Sequence, residues 1–255
     1  MTSWADFKHL AAPILEYAGV RKSFSVDRAV LDGFTLSVGA RETVALVGPS
    51  GCGKTTALKL ANRLVDADAG TVTVFGRPAA EHEPVGLRRR IGYVIQEGGL
   101  FPHWTVRENV EAVPRLLGWD EERRRARSDE LLETVGLAPA EFGPRRPSGL
   151  SGGQRQRVGV ARALAARPPL VLMDEPFGAL DPIARRAMQK EFASWKSRWE
   201  SAVLLVTHDL GEAFRLADRV AVLANGRIRQ VGTRDELLHA PADAFVREFV
   251  SEFGA

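Results

Sequence analysis

One stretch constrains this chain more than any other: Gly48-Pro49-Ser50-Gly51-Cys52-Gly53-Lys54-Thr55-Thr56, set between the apolar run Thr43-Val44-Ala45-Leu46-Val47 and the run Ala57-Leu58-Lys59-Leu60-Ala61. Strand, glycine-rich turn and helix in that order fit G-x-x-x-x-G-K-[ST]. In this pattern the N–H groups of the turn and the positive end of the helix dipole surround a polyphosphate. Each residue type has a reason. The glycines let the backbone curl close to the phosphates, Lys54 brings a point positive charge to the β- and γ-phosphates, and the Thr55 hydroxyl suits Mg²⁺. An ordinary glycine-rich turn can match so short a pattern, and it is the flanking strand and helix that point to a nucleotide.

Two later stretches put polar groups at the ends of buried runs. Pro169-Leu170-Val171-Leu172-Met173-Asp174-Glu175 reads as an apolar strand ending in two carboxylates. An acid at the C-terminal end of a parallel strand is aimed at the crevice where ligands bind in open α/β sheets. Asp174 suits a Mg²⁺ partner and Glu175 a group that polarises a water for in-line attack. Ala202-Val203-Leu204-Leu205-Val206-Thr207-His208-Asp209 repeats the device, with His208 at the tip as either a structural or a catalytic histidine. Ser151-Gly152-Gly153-Gln154 opens the helical run Arg155 to Ala166, a second anion site by the same dipole argument.

The rest of the pattern sets the architecture. Met1 to Pro13 carries Trp4, Phe7 and Leu10 at helical spacing, which predicts a helix packed on the body. Three short runs, Ile14 to Tyr17, Ala29 to Leu31 and Phe34 to Val38, predict an antiparallel sheet. Phe24, between Ser23 and Ser25, falls in a predicted polar loop, and stacking on a base and tucking into the core both stay open for it. Gly70 to Gly76 reads as a strand, and Ile91 to Ile95 as a buried strand ending at Gln96. Gly98 to Trp104 is a loop of turn formers and large apolar groups of the kind that carries a partner. Val106 to about Arg146 is helical and highly charged, an insertion in the α/β core. A hairpin around Asn225-Gly226 and closing helices from Arg234 to Phe253 complete the chain.

Composition excludes several classes. With 45% hydrophobic and 26% charged residues the chain is not disordered, while apolar runs such as Ala202 to Val206 are far too short to cross a bilayer. A membrane role therefore runs through a partner. The arginine clusters at Arg88–Arg90, Arg123–Arg125 and Arg145-Arg146 interleave with Glu and Asp, and with a net charge of +3 they read as solvated helix faces, not a nucleic-acid surface. Cys52 is the single cysteine, so no internal disulfide forms; its thiol reads as an oxidation-sensitive group or as filler. The start of the chain lacks a basic n-region and apolar core, which leads us to expect a cytoplasmic protein.

Taken together, these residues resemble the ATP-binding subunit of an ABC transporter, over nearly the whole chain from about Ile14 onward. The most specific piece is Leu150-Ser151-Gly152-Gly153-Gln154, the ABC signature, in its order after the phosphate loop and before Asp174-Glu175. The resemblance implies an α/β fold: a P-loop NTPase (RecA-like) core with an N-terminal antiparallel β subdomain and an inserted α-helical signature subdomain. An ABC ATPase domain would span residues 14–255, with the helical subdomain at about 98–165, a helical tail at about 234–255, and residues 1–13 as an extension.

It also implies roles. ATP would be held by Gly48, Pro49, Ser50, Gly51, Cys52, Gly53, Lys54, Thr55 and Thr56, with Phe24 stacking on the adenine. Thr55, Gln96 and Asp174 would hold Mg²⁺, Glu175 would be the base, His208 would contact the γ-phosphate, and Gln96 would connect to the transport partner. Ala179-Leu180-Asp181 resembles the D-loop. Two copies pair head to tail in this family, so Ser151, Gly152, Gly153 and Gln154 of one would close over the ATP bound to the other's Lys54.

Finer features, Ile91 to Gln96, Gly99 to His103 and Pro114 to Trp119, are similar to importers of quaternary amine osmoprotectants such as glycine betaine and choline. Glu97-Gly98 and Gly149 depart from those relatives, which often have glutamine with a bulkier residue and glutamate there. The implied partners are a second copy, a multispanning permease met near Gln96–Trp104 and, indirectly, a solute-binding protein, at the cytoplasmic face of the membrane. Many such relatives continue into CBS domains; with its last residue at Ala255, this chain is expected to carry none. Importers of other small solutes and soluble ABC ATPases are the competing classes.

Overall fold

The computed structural model describes residues 12–25, 28–96, 99–178, 180–196 and 199–251. The helix predicted around Trp4, Phe7 and Leu10 lies outside them. In chain order the first strands are β1 (Leu15–Ser25), β2 (Arg28–Val38), β3 (Thr43–Val47), β4 (Ala69–Val74) and β5 (Arg77–Pro78). They are followed by β6 (Ile91–Val94), β7 (Leu170–Asp174), β8 (Ala202–Val206), β9 (Arg219–Ala224) and β10 (Arg227–Gly232). The helices are α1 (Lys54–Ala61), α2 (Pro84–Arg89), α3 (Val106–Val110), α4 (Ala112–Leu116), α5 (Glu121–Thr134) and α6 (Pro139–Phe142). Beyond them come α7 (Gly152–Leu164), α8 (Pro182–Lys196), α9 (Leu210–Leu216), α10 (Arg234–His239) and α11 (Ala244–Val250).

Six strands form one sheet in the order β10-β9-β3-β8-β7-β6, parallel except for the β9–β10 hairpin. Side chains alternate along its strands between two cores. Ala45, Val47, Val171, Met173, Val203 and Leu205 enter the core shared with α7, α8 and α9. Val44, Leu46, Leu170, Leu172, Leu204 and Val206 enter the core shared with α1 and the antiparallel sheet. Both faces are covered, which is why these strands read as unbroken apolar runs.

The second sheet, β2-β1-β4-β5, is antiparallel and corrects the sequence reading. The three short runs expected between Ile14 and Val38 are two eleven-residue strands, paired from Leu15–Val38 to Ser25–Arg28 with several register shifts. Polar residues on the open side of a bulged ribbon look like turns when only apolar residues are counted. Phe24 accordingly sits on a strand and not in a loop. The buried face is anchored by Tyr17, whose hydroxyl donates to the Ala57 carbonyl at 2.7 Å and whose ring meets Phe34 edge-on.

The segment from Val106 to Phe142 is helical, as its periodicity predicts, and contributes Val106, Val110, Leu131 and Leu132 to the α7 core. Thr105 and Glu108 form a capping box at the head of α3. Asn109 is fully buried, and its amide exchanges hydrogen bonds with Phe101 N–H at 2.7 Å and Phe101 C=O at 3.1 Å. That pairing holds the preceding loop with Phe101 half exposed.

Candidate active site

The register of the parallel sheet brings the site together. Leu46 of β3 pairs with Val206 of β8, Asp174 of β7 pairs with Val206, and Val94 of β6 pairs with Met173 of β7. The residues just past those pairs are Gly48, His208, Glu175 and Gln96, so four strand ends deliver them side by side at one edge.

At the first of these ends, Gly48 has φ 153° and Gly53 φ 111°. A Cβ on Gly48 would lie 2.0 Å from the Leu223 carbonyl, and one on Gly53 2.6 Å from Leu31 Cδ2, so neither position has room for a side chain. Between them the turn wraps its own lysine: Lys54 Nζ donates to Gly48 O at 2.8 Å and Pro49 O at 3.0 Å. Cys52 Sγ is 3.9 Å from the same ammonium. Burial pushes the Cys52 thiol up, which keeps it protonated and poorly reactive.

Thr55 Oγ1 donates to Asp174 Oδ1 at 3.1 Å across 119 residues of sequence. Burial holds the Asp174 carboxyl above the usual range, the Thr55 bond opposing it. A hydroxyl and a buried carboxylate side by side are hard oxygen ligands of the kind Mg²⁺ takes, and the carboxylate's charge is one a cation would stabilise. These two residues fit the ion. Gln96 is set one place further along, with its amide on Glu175.

Glu175 is the hub of the exposed half. Gln96 Nε2 donates to its Oε2 at 3.3 Å, and His208 Nδ1 lies 3.3 Å from its Oε1. Its backbone has φ 44°, the left-handed region, and its N–H donates to Val206 O at 2.9 Å. That turn swings the carboxylate off the strand direction, to where the flanking glutamine and histidine meet it.

The other expected residues stand apart from this cluster. Ser151 and Gln154 close a capping box at the head of α7, each side chain bonded to the other's backbone N–H, while a Cβ added at Gly152 or Gly153 would meet Leu180 Cδ2 at 3.9 or 3.8 Å. Asp181 accepts from the N–H groups of Ile183 and Ala184 at the head of α8. Ala179 lies outside the described residues, as do Glu97 and Gly98. Phe24 is 62% exposed, with Lys22 Nζ 5.5 Å from its ring centre. The tucked-in reading is therefore wrong for it.

Sequence reading missed a buried polar pair behind the site. Glu212 on α9 and Gln189 on α8 are 3% and 1% exposed, and Gln189 Nε2 donates to Glu212 Oε2 at 2.9 Å. Neither residue lies in a glycine-rich turn or at a strand end, so nothing local marks it. Burial pushes the Glu212 carboxyl up to about 7, whereas in an unfolded chain it titrates near 4.5. Between those values the folded state binds more protons than the unfolded one, so this group's contribution to stability is lost as pH rises. The unfolding free energy of the wild type relative to Glu212→Gln is expected to fall by about 1–3 kcal/mol from pH 5 to pH 8 in urea titrations.

A groove of about 430 Å³ opens beside β6, lined by Ile91, Tyr93, Ile95, Phe101, Leu116 and Arg162 among others. Phe101 and Leu116 are 47% and 59% exposed, large apolar side chains left at its rim. Among the described residues no helix is long and apolar enough to cross a membrane.

A phosphate loop, a strand-end acid pair and a capped Ser-Gly-Gly turn on one doubly covered sheet define a nucleotide-binding protein of the P-loop class. The chain belongs to the ABC transporter family, whose model matches residues 31–178. It is 48% identical over 239 residues to the choline transport ATP-binding protein OpuBA of Bacillus subtilis strain 168, covering 94% of this chain and 62% of that one. Against the glycine betaine uptake system ATP-binding protein YehX of Escherichia coli strain K12 it is 44% identical over 243 residues, covering 94% and 78%. The chain thus spans about three fifths of the length of OpuBA and most of YehX. A solved structure, the ATP-binding cassette MJ0796 as a dimer in a post-hydrolysis state with ADP and Pi, matches with a TM-score of 0.75 and 31% identity. It covers 86% of this chain and 98% of that one.

Proposed function

We propose that this chain is the ATP-hydrolysing subunit of an ABC importer for quaternary amine osmoprotectants such as glycine betaine or choline. The observation that carries the ATPase reading is the convergence of Gln96 and His208 on Glu175, beside Thr55–Asp174 and the loop of Lys54. Lys54 and the turn N–H groups bind the triphosphate, with Phe24 against the adenine. Thr55 and Asp174, with Gln96 released from Glu175, would hold Mg²⁺, which would supply positive charge against the phosphate oxygens. Glu175 takes the proton of the attacking water, Gln96 orients that water, and His208 faces the γ-phosphate. Ser151, Gly152, Gly153 and Gln154 face solvent or its edge at the head of α7, which suits closure over a second copy's nucleotide, with Asp181 beside them. The working unit is then a head-to-tail homodimer.

The domain division follows the same reading: residues 14–255 as the ATPase domain, with about 98–165 as its helical part and 234–255 as a tail. The groove beside β6 supports a peripheral subunit on the cytoplasmic face of the membrane, because Phe101 and Leu116 offer apolar surface to a permease next to Gln96. Phe101→Asp with Leu116→Glu is expected to abolish co-purification with a multispanning membrane protein and to leave the ATPase rate of the isolated subunit within about twofold. These side chains are at the surface, so changing them costs little stability. The substrate class rests on the kinship with OpuBA and YehX. Its test is to isolate the chain from membranes with its permease and solute-binding protein and measure which amines that binding protein retains. Failure to bind any quaternary amine would sink the substrate assignment and leave the ATPase standing.

A further inference from the structure

The buried pair behind the site is chemically out of place. Two helices that needed only to pack would meet through apolar side chains, since a buried carboxylate is costly unless its bonds do something an apolar pair cannot. The side-chain bond joins two helices, α8 and α9, whose other bonds reach the two halves of the site. On one side, Glu212 N–H donates to Asp209 Oδ1 at 2.8 Å and Asp209 N–H to Thr207 Oγ1 at 3.0 Å, which shapes the turn that carries His208. On the other side, Gln189 lies one turn of α8 beyond Arg185. The Arg185 guanidinium donates to the carbonyls of Phe177, Gly178 and Leu180 at 3.1–3.3 Å, in the segment that follows Glu175. Arg215 Nη2 donates to Gln189 Oε1 at 2.7 Å, so the Gln189 amide is held from both ends and cannot turn over.

Resting on the ATPase reading above, we infer that Gln189 and Glu212 are positioning residues for hydrolysis: their bond locks α8 to α9 and thereby fixes the His208 turn against the Glu175 segment. Neither touches nucleotide. What they set is the 3.3 Å approach of His208 to Glu175, two groups that come from different strands and are each steered by a different helix.

The test exchanges the pair and is run at pH 8. Gln189→Glu sets two carboxylates face to face and is expected to lower kcat for ATP roughly 3- to 30-fold, with the ATP dissociation constant within about twofold. Adding Glu212→Gln restores a donor and an acceptor with their roles reversed, and kcat is expected to recover to within about threefold of wild type. A purely structural loss would show in thermal melting and in ATP binding and would not spare KM while moving kcat. If Gln189→Glu does not fold, Gln189→Ala and the exchanged pair carry the comparison. Wild-type kcat in the single variant, or no recovery in the exchanged pair, overturns the inference. A wild type that does not hydrolyse ATP at all would instead overturn the ATPase reading.

Discussion

Glu175→Gln is expected to abolish turnover and spare ATP binding. The amide is isosteric with the carboxylate, so it can still accept from Gln96 Nε2 and lie against His208 Nδ1, the two contacts that hold the side chain at 3.3 Å on either side. What it loses is the capacity to take a proton from the attacking water. General-base assistance is worth roughly 10²- to 10⁴-fold, and the phosphate release rate should fall by that factor. Because the phosphate loop is untouched, ATP should accumulate on the variant and hold the dimer closed, visible as an ATP-dependent shift in size-exclusion chromatography. Phosphate release within tenfold of wild type would remove Glu175 from the role of base.

Gly48→Ala should fail earlier, at binding. Its methyl group would stand 2.0 Å from the Leu223 carbonyl and 3.1 Å from Cys52 Sγ, at a φ of 153°. The obstacle is backbone, and β9 cannot retreat because it is paired to β3 on one side and β10 on the other. The strain must therefore go into the phosphate loop, displacing the Gly48 carbonyl that Lys54 holds. We expect a loss of about 1–3 kcal/mol in stability from overpacking, read by chemical denaturation, together with loss of ATP binding by at least about a hundredfold. Gly51→Ala is the control. That position also has a positive φ, 76°, but no atom lies within 4 Å of the added methyl, so only the local backbone cost of about 1–2 kcal/mol applies. Equal damage in the two variants would show that conformation, and not the Leu223 carbonyl, decides the effect.

The site was legible in the sequence where chemistry and local pattern coincide. The loop from Gly48 to Thr56, Asp174 with Glu175, and His208 each sit at the end of an apolar run, and a strand end on a parallel sheet is where a functional group belongs. Gln96 was legible as a strand end, but its contact with Glu175 joins residues 79 apart and depends on β6 lying beside β7. No local pattern reports which strands are neighbours. The same limit hid Gln189 and Glu212, which look like ordinary polar residues on amphipathic helices until α8 packs on α9. In the antiparallel sheet the failure had another source. Bulges interrupt strict alternation in β1 and β2, so a count of apolar residues broke two long strands into three short ones and left Phe24 in a loop.

Glu175 is held at φ 44°, where a side chain is disfavoured and glycine is at ease. The residue proposed to do the chemistry thus stands, like Arg41, Arg63, Phe75, Arg167 and Asn225, at a backbone position where glycine would be at ease. Mutational drift toward a more heat-resistant fold and drift toward a dead enzyme share a direction at this position.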